Sequence, residues 1–268
     1  MRIVIPRESV AGERRTSATP ETVKKMIRLG AEVAIESGAG AAVGFDDSIY
    51  AELGAEIVAD RAALLGSADM VLRLRKPEPD EIGMMKSGCI HVSYLDPFNE
   101  RDLIKTLADK GITAISMEMI PRSTRSQKMD ALSSQANLAG YVAVMLAAAQ
   151  LPRIFPMLMT PAGTLKPAKV FIIGAGVAGL QAIATAKRLG ARVTAFDTRP
   201  VVAEQVQSLG GKFLEIDLGD TGQTSDGYAK ELTPEQVEIQ RQAQKDVIAD
   251  SDVVITTAQV FGLSLIHI

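Results

Sequence analysis

The glycine-rich turn in the second half of the chain limits the possible folds more than any other stretch. Residues 170–182 read Val-Phe-Ile-Ile-Gly-Ala-Gly-Val-Ala-Gly-Leu-Gln-Ala, so an apolar run leads directly into a G-x-G-x-x-G motif. Apolar spacing typical of a helix follows from Leu180 to Leu189. In a dinucleotide-binding turn, Gly174 permits the turn, Gly176 admits a pyrophosphate and Gly179 allows helix and strand to pack closely. The motif therefore predicts an anion site built from backbone amides at a helix N-terminus.

A second strand and an acidic residue follow at the spacing that this kind of site requires. The run from Arg192 to Phe196 ends at Asp197, about 20 residues beyond the glycines. We expect the Asp197 carboxylate to bind the ribose hydroxyls of NAD(H) and to repel the 2′-phosphate of NADP(H). Arg199 opposes part of that repulsion. The alternative is a glycine-rich turn that serves packing alone.

A recurring junction predicts the fold class. Five times, a helical pattern ends at a glycine and an apolar strand begins within a few residues, at Gly30, Gly54, Gly111, Gly190 and Gly210. Such a glycine is typical of a left-handed helix C-cap, and the alternation of helix with short strand is typical of a parallel sheet. We predict an α/β fold with two Rossmann-like parallel-sheet domains flanking a cleft. The domains are residues 1–132 and 152–268, joined by a bridging helix at residues 133–151.

The apolar runs also predict the individual elements. The first domain should contain six strands, at Ile3–Ile5, Val33–Glu36, Glu56–Val58, Met70–Leu74, Ile90–Tyr94 and Thr113–Met117. The pair Thr19-Pro20 predicts the start of a capped helix. The second domain should contain two further strands, at Lys212–Ile216 and Asp252–Thr257. Residues 156–167 are predicted to be a loop, and the polar segment 217–230 is long enough to predict a lid.

Composition excludes several classes of protein. The 268 residues carry a net charge of −3 and no Trp, so neither a basic footprint nor a stacking platform for nucleic acid is present. The single Cys89 cannot form an internal disulfide, which fits a reducing cytoplasm, and we expect it in a buried strand. The N-terminus runs out of apolar residues too early for a signal peptide. Residues 131–151 form the longest uncharged stretch, but Ser, Gln and Asn interrupt it, so no membrane span is predicted.

A dense polar loop lies between the last predicted strand of the first domain and the bridging helix. It contains Arg122, Gln127 and Asp130. A loop that leaves one sheet and starts the helix leading to the next is expected at the cleft between domains, where the nicotinamide would lie. Arg122 and Asp130 are expected to pair as guanidinium and carboxylate, leaving the Gln127 amide for recognition. The alternative is a solvated capping loop.

At these residues the sequence resembles a known family, the NAD(H)-binding α subunit of proton-translocating NAD(P) transhydrogenase. The segments that carry the likeness are Met1–Glu8, Thr19-Pro20, Glu36–Gly40, Pro121–Tyr141, Gly174–Gly179, Asp197–Pro200, Gly227–Lys230 and Thr256-Thr257. The likeness covers residues 1 to about 262 without a gap. Its most specific part is the run from Pro121 to Tyr141.

The resemblance implies roles for individual residues. The loop would hold the nicotinamide end as the catalytic group of residues, namely Arg122, Gln127, Asp130 and Ser133. The other implied cofactor contacts are Arg125, Gly174, Gly176, Val177, Ala178, Gly179, Asp197, Thr198, Arg199, Gly227, Tyr228, Thr256, Thr257 and Ala258. Among these, Tyr228 would lie on a mobile loop that closes over the site, and Val177 and residues 197–199 would hold the adenosine half. No metal is implied. Lys128 and residues 259–261 depart from the family pattern.

The resemblance also implies a setting for the activity. The chain would present NADH for direct hydride transfer to NADP+ on a partner subunit, coupled to proton translocation across the membrane, and would be inactive alone. Its partners would be the NADP(H)-binding and membrane-spanning subunits, together with a second copy in a homodimer. It would lie in the cytoplasm, on the inner face of the cell membrane.

Alanine dehydrogenase is similar in architecture and is the main alternative. Reductive amination needs an acid–base group beside the substrate carbonyl. Where that enzyme uses a Lys and a His, the resemblance places Arg73 and Asp96 here, and Arg is a poor proton shuttle. Hydride transfer between nicotinamides needs no side-chain base, so transhydrogenation is favoured. Arg15 matches the substrate-carboxylate position of the dehydrogenase, and His91 is expected in the core.

Two further expectations concern function without catalysis and the end of the chain. A non-catalytic NAD-sensing protein is a third possibility, against which the Gln127 loop and Tyr228 argue by resemblance. Residues 263–268 resemble no part of the family, and the predicted second sheet ends after its fourth strand, where the order 3-2-1-4-5-6 would continue. We therefore expect a truncated chain with a foreign tail, an unpaired fourth strand and weak NADH binding.

Overall fold

The computed structural model describes residues 1–218 and 232–258, and the chain divides into two compact units. The first unit is Met1–Asp130 and the second is Ala131–Ile268. This division lies just before residue 132, the predicted end of the first domain. Each unit is built on a parallel sheet, so the fold is the predicted α/β fold.

The first unit contains a six-stranded parallel sheet. Its strands are β1 Arg2–Ile5, β2 Glu32–Glu36, β3 Glu56–Val58, β4 Met70–Leu72, β5 Ile90–Ser93 and β6 Thr113–Ser116. They pair in the order β3-β2-β1-β4-β5-β6, and all six predicted strands are confirmed. The helices between them are α1 Pro20–Arg28, α2 Asp47–Glu52, α3 Arg61–Ser67, α4 Pro79–Met84 and α5 Arg101–Asp109. Alternate strand residues enter two cores, Val4 and Ala34 one of them, Ile5 and Ile35 the other.

Three strands of this sheet end earlier than predicted. β4 ends at Leu72, β5 at Ser93 and β6 at Ser116. Beyond β4, the Leu74 amide donates to Glu8 Oε1 at 2.6 Å, so a side chain takes the place of a strand partner. The carboxyl edge of the sheet is therefore organised by polar side chains.

The second unit contains a four-stranded parallel sheet. In chain order its elements are α6 Ala131–Gln150, β7 Leu158–Thr160, β8 Gly163–Leu165, β9 Lys169–Ile173, α7 Val177–Arg188, β10 Arg192–Phe196, α8 Ala203–Ser208, β11 Lys212–Phe213, α9 Pro234–Ala249 and β12 Val253–Thr256. The sheet order β11-β10-β9-β12 is the third, second, first and fourth strand, as in a dinucleotide-binding sheet. β11 is much shorter than the predicted Lys212–Ile216. Among the described residues, β12 is an edge strand.

The predicted helix caps are present. Thr19 accepts a hydrogen bond from the Thr22 amide, and Pro20 is the first residue of α1. The five junction glycines, Gly30, Gly54, Gly111, Gly190 and Gly210, all have positive φ angles. Cys89 is fully buried, as expected, but it lies one residue before β5 and not within a strand.

Residues 156–167 do not form the predicted loop. β7 and β8 pair as an antiparallel hairpin around Pro161 and Ala162. Gly163 has a φ of 131° that favours glycine, and its carbonyl accepts a hydrogen bond from Thr160 Oγ1 at 2.9 Å. The prolines and glycine mark the turn, but each strand is too short to show an alternating pattern.

α6 is the bridging helix, and it starts two residues before the predicted residue 133. Among the described residues, α6 alone has the length and hydropathy to cross a membrane, which is weak evidence because a core helix passes the same test. Its Gly140 and Val144 are buried, and Val144 shares a core with Ala182 and Ala186 of α7. These contacts are those of a helix packed inside a protein unit.

Candidate functional site

The glycine-rich turn has the backbone geometry of a nucleotide-binding turn. Gly174 has a φ of 97°, and a Cβ there would lie 2.7 Å from the backbone nitrogen of Ala258. A Cβ at Gly179 would lie 2.8 Å from the carbonyl carbon of Gly174 and closer still to its oxygen. Both positions therefore exclude any larger residue. The geometry agrees with the turn and packing roles predicted for these two glycines.

Gly176 differs from the other two glycines of the motif. It is the N-cap of α7, with extended backbone angles, and no heavy atom lies within 4 Å of the place where a Cβ would be. Protein packing therefore does not explain the glycine. Open space in front of the first amides of a helix is what a phosphate group needs, because those amides lack partners within the helix.

Asp197 is held by the turn and by Arg199. Its Oδ2 accepts a hydrogen bond from the Ala175 amide at 2.8 Å, and its Oδ1 accepts the Arg199 amide and Nε at 2.9 Å. Burial tends to raise the pKa of Asp197, but the hydrogen bonds from Arg199 and the Ala175 amide outweigh burial and hold that pKa below its usual value. Asp197 is therefore an ionised residue that ties the turn to the end of β10.

The pairing revises the charge argument made from the sequence. A lone carboxylate would repel a 2′-phosphate, whereas Asp197 and Arg199 together are neutral. The sequence predicted that Arg199 would oppose part of the repulsion, but not that the guanidinium would contact both carboxylate oxygens.

A cleft of about 440 Å³ opens beside Asp197, at the carboxyl ends of β10 and β11. Its lining includes Thr198, Pro200, Phe213 and Ile216. Ligands of open parallel sheets bind outside the carboxyl ends of the strands, and apolar walls beside a carboxylate suit an adenine and its ribose. The residues present therefore fit the adenosine half of a dinucleotide.

Thr257 completes the turn from the edge of the sheet. Its amide donates to the Ile173 carbonyl and its Oγ1 donates to the Gly174 carbonyl, both at 2.8 Å. The hydroxyl predicted to contact the cofactor thus holds the turn. Thr256 is exposed at the end of β12. The predicted contacts Gly227 and Tyr228, the lid segment and residues 259–268 lie outside the described residues or mostly so.

The polar loop of the first unit is exposed. Arg122, Arg125 and Gln127 are exposed, and Asp130 is partly buried. Gln127 begins a single 3₁₀ turn, Gln127–Met129, in which the Met129 amide donates to the Ser126 carbonyl at 2.8 Å. An exposed amide on an ordered turn is compatible with recognition. In the second unit, Ser133 lies in the first turn of α6 and is partly buried.

The two positions that would carry acid–base chemistry in a dehydrogenase are engaged in the structure. The Arg73 side chain is 0% exposed and donates to Glu81 Oε2 at 2.5 Å. Asp96 has a φ of 52°, and its side chain accepts the Asn99 amide group at 2.9 Å. Arg73 is therefore a buried structural residue, and Asp96 shapes the loop before α5.

His91 lies in β5 and is fully buried, as predicted. Burial and the nearby Arg73 guanidinium lower its pKa to about 4, so the imidazole is neutral at physiological pH. Its Nε2 has no hydrogen-bond partner. Across residues 1–218 and 232–258, no group of three or more His, Cys, Asp or Glu side chains could hold a metal ion.

Comparison with known families places both units in one pair of domain families. Residues 4–139 match the family described as alanine dehydrogenase/PNT, N-terminal domain. Residues 143–265 match alanine dehydrogenase/PNT, C-terminal domain. The two matches together span nearly the whole chain.

Curated relatives include both branches of that description. The first of the two chains that make up the NAD(P) transhydrogenase α subunit of Rhodospirillum rubrum is 45% identical over 269 residues, covering 98% of this chain and 70% of that protein. NAD(P) transhydrogenase subunit alpha of Cereibacter sphaeroides is 43% identical over 264 residues, covering 98% of this chain and 50% of that protein. Alanine dehydrogenase 2 of Staphylococcus aureus is 33% identical over 214 residues, covering 79% of this chain and 57% of that protein.

Solved structures give the same ranking. A transhydrogenase from Sinorhizobium meliloti superposes with a TM-score of 0.87 at 43% identity, covering 98% of this chain and 71% of that one. An L-alanine dehydrogenase superposes with a TM-score of 0.71 at 30% identity, covering 80% of this chain and 60% of that one. Sequence and structure are both more similar to these transhydrogenases than to these dehydrogenases.

Proposed function

Because the chain belongs to the alanine dehydrogenase/PNT family and is related to NAD(P) transhydrogenase α subunits, we propose that it is the NAD(H)-binding component of a proton-translocating transhydrogenase. It presents NADH for direct hydride transfer to NADP+ on a partner subunit. The observation that carries the proposal is the turn from Gly174 to Gly179. Its outer glycines are packed against protein, while the space beside Gly176 is open.

The chain's own residues bind and orient in this proposal. The first amides of α7 bind the pyrophosphate, and the cleft beside Asp197 holds the adenosine half. Arg122, Gln127, Asp130 and Ser133 hold the nicotinamide end. NADH, when bound, supplies the hydride. No side chain has to accept or donate a proton, which agrees with the buried, paired state of Arg73.

A binding experiment tests the nucleotide site. NADH should bind in a fluorescence titration, and Gln127→Ala should weaken NADH about tenfold while leaving ADP-ribose, which lacks the nicotinamide, unchanged. Gln150→Ala changes an exposed glutamine at the end of α6 and is the matched control. Equal loss of both ligands in Gln127→Ala would contradict the role of the loop, and no NADH binding by the wild type would contradict the proposal itself.

A transfer experiment tests the reaction. NADH deuterated at the transferring position of C4 is mixed with NADP+, the chain and an NADP(H)-binding transhydrogenase subunit. Deuterium should appear in NADPH and not in water, because direct transfer does not exchange with solvent. Omitting either protein should abolish transfer, since the chain is inactive alone.

The membrane setting is a further element of the proposal. The partners would be an NADP(H)-binding and a membrane-spanning subunit, with a second copy of the chain in a homodimer at the inner, cytoplasmic face of the membrane. Proton uptake by vesicles that contain the assembled complex should accompany NADPH formation. Transfer that leaves the vesicle pH gradient unchanged would exclude the coupling.

Alanine dehydrogenase is the second candidate, favoured by the family match and by Arg15. Arg15 is engaged, however: its guanidinium donates to both oxygens of Glu13. We expect no NADH oxidation with pyruvate and ammonia, because an acid–base group typically contributes about 100- to 10,000-fold. Oxidation at a rate normal for a dehydrogenase would overturn the proposed function.

A further inference from the structure

Gly140 of α6 lies directly against the first turn of α7. A Cβ at Gly140 would be 2.9 Å from the carbonyl carbon of Ala178, 3.1 Å from its Cα and closer still to its oxygen. Real Cβ atoms essentially never approach other atoms so closely, so only glycine fits. Ala178 is the second residue of α7, next to the Gly176 N-cap. The backbone of α6 therefore rests on the turn proposed to bind the pyrophosphate.

Helix propensity does not explain this glycine. Glycine in a helix interior is unfavourable relative to alanine, and Gly140 lies in the middle of a 20-residue helix. Gly83 in α4 is a useful contrast, because no atom lies within 4 Å of the place where its Cβ would be. Glycine is thus required by contact at residue 140, and sterically not at residue 83.

We propose that Gly140 is a positioning residue for the NAD(H) site, through which α6 fixes the first turn of α7. The inference rests on the proposed function, because it assigns a role in NAD(H) binding. Ser133, proposed to hold the nicotinamide end, lies on the same helix seven residues earlier. At 1.5 Å per residue, α6 sets Ser133 about 10 Å along its axis from the contact with the pyrophosphate turn. One rigid helix thereby fixes the separation between two parts of the site.

The test compares NADH affinity with thermal stability in three variants. Gly140→Ala adds one methyl group that pushes on Ala178. Val144→Ala removes volume from the same interface one turn further along α6, where Val144 is fully buried, without pressing on the turn. Gly83→Ala adds a methyl group to a helix glycine that has open space. NADH affinity is measured by fluorescence titration well below each melting temperature.

Gly140→Ala should raise the Kd for NADH about tenfold, which corresponds to about 1.4 kcal/mol, because overpacking displaces the amides that face the phosphates. Val144→Ala should lower the melting temperature but leave the Kd within about threefold, and Gly83→Ala should change neither. An effect of Gly140→Ala on melting alone, or an equal Kd increase in Val144→Ala, overturns the positioning role. No NADH binding by the wild type overturns the proposed function and this inference together.

If Gly140→Ala does not fold, hydrogen exchange of the wild type decides the question. NADH should slow exchange of the α6 amides around Gly140 as well as those of the α7 first turn, because the two helices are in contact there. Protection confined to α7 overturns the positioning role.

Discussion

Arg199 donates to both carboxylate oxygens of Asp197, from Nε to Oδ1 and from Nη2 to Oδ2, each at 2.9 Å. Two parallel hydrogen bonds of this kind fix a guanidinium in the plane of its carboxylate. The preference for NAD(H) over NADP(H) therefore depends on the pair, because Arg199 offsets the charge with which Asp197 would repel a 2′-phosphate.

Replacing Asp197 by Ala should weaken NADH binding and narrow the gap between NADH and NADPH. NADH loses a carboxylate acceptor, at a cost of about tenfold or more in Kd, while Arg199 becomes available to a 2′-phosphate. Arg199→Ala should widen the gap, since Asp197 is then unopposed. The two nucleotides are titrated by fluorescence. Tighter binding of NADPH than NADH by the unmodified chain would contradict the account.

The Thr257 hydroxyl should matter for binding through the shape of the turn. Thr257→Val keeps the volume but leaves the Gly174 carbonyl without its 2.8 Å donor, so the NADH Kd should rise about tenfold. Thr257→Ser keeps the hydroxyl and should restore binding to within about threefold. If both variants bound NADH equally weakly, the methyl group and not the hydroxyl would be the important part.

Arg61 joins two buried carboxylates at the carboxyl edge of the first sheet. Its Nη1 donates to Glu36 Oε2 and its Nη2 to Glu81 Oε1, both at 2.5 Å. Arg61→Met should lower the free energy of unfolding by about 3 kcal/mol, because buried charges lose their partner. Lys25→Met, which removes an exposed pair with Glu21, should cost less than about 1 kcal/mol. Equal losses in chemical denaturation would show that the Arg61 bridge adds no stability.

His91 should make stability depend on pH in the mildly acidic range. Its pKa is lowered from 6.5 to about 4, so between those values the unfolded chain binds more protons than the folded one. The stability that neutral His91 confers is complete above pH 6.5 and is lost as the pH falls toward 4, by roughly 3 kcal/mol. His91→Gln should flatten this slope, whereas Gln150→Ala, which changes no titratable group, should keep it. Unfolding is followed in denaturant at several pH values, and an unchanged slope in His91→Gln would assign the pH dependence to other groups.

Signals carried by a few consecutive residues could be predicted well. Thr19 and Pro20 fix the start of α1, and the glycine at residue 30 ends it, because a cap depends on neighbouring backbone groups alone. The sheet order of the second unit followed from the motif at residues 174–179, since that motif belongs to one kind of sheet.

Contacts between distant residues could not be predicted. The sequence suggested Arg73 as a counterpart of an acid–base residue, yet the fold buries it against Glu81 of α4. Likewise, Thr257 was predicted to contact the cofactor, but its hydroxyl donates to Gly174. No local pattern marks Gly140, because its requirement for glycine arises only when α6 meets α7.

The bond from Thr257 to Gly174 spans 83 positions of the chain, and this separation sets an order of events during synthesis. At translation rates of about 5–20 residues per second, the glycine turn leaves the ribosome about 4–17 s before the hydroxyl that completes it. A nascent chain therefore carries the motif for some time without its finished shape. Nucleotide binding by ribosome-bound chains of stepwise increasing length should begin only after residue 257 has left the exit tunnel.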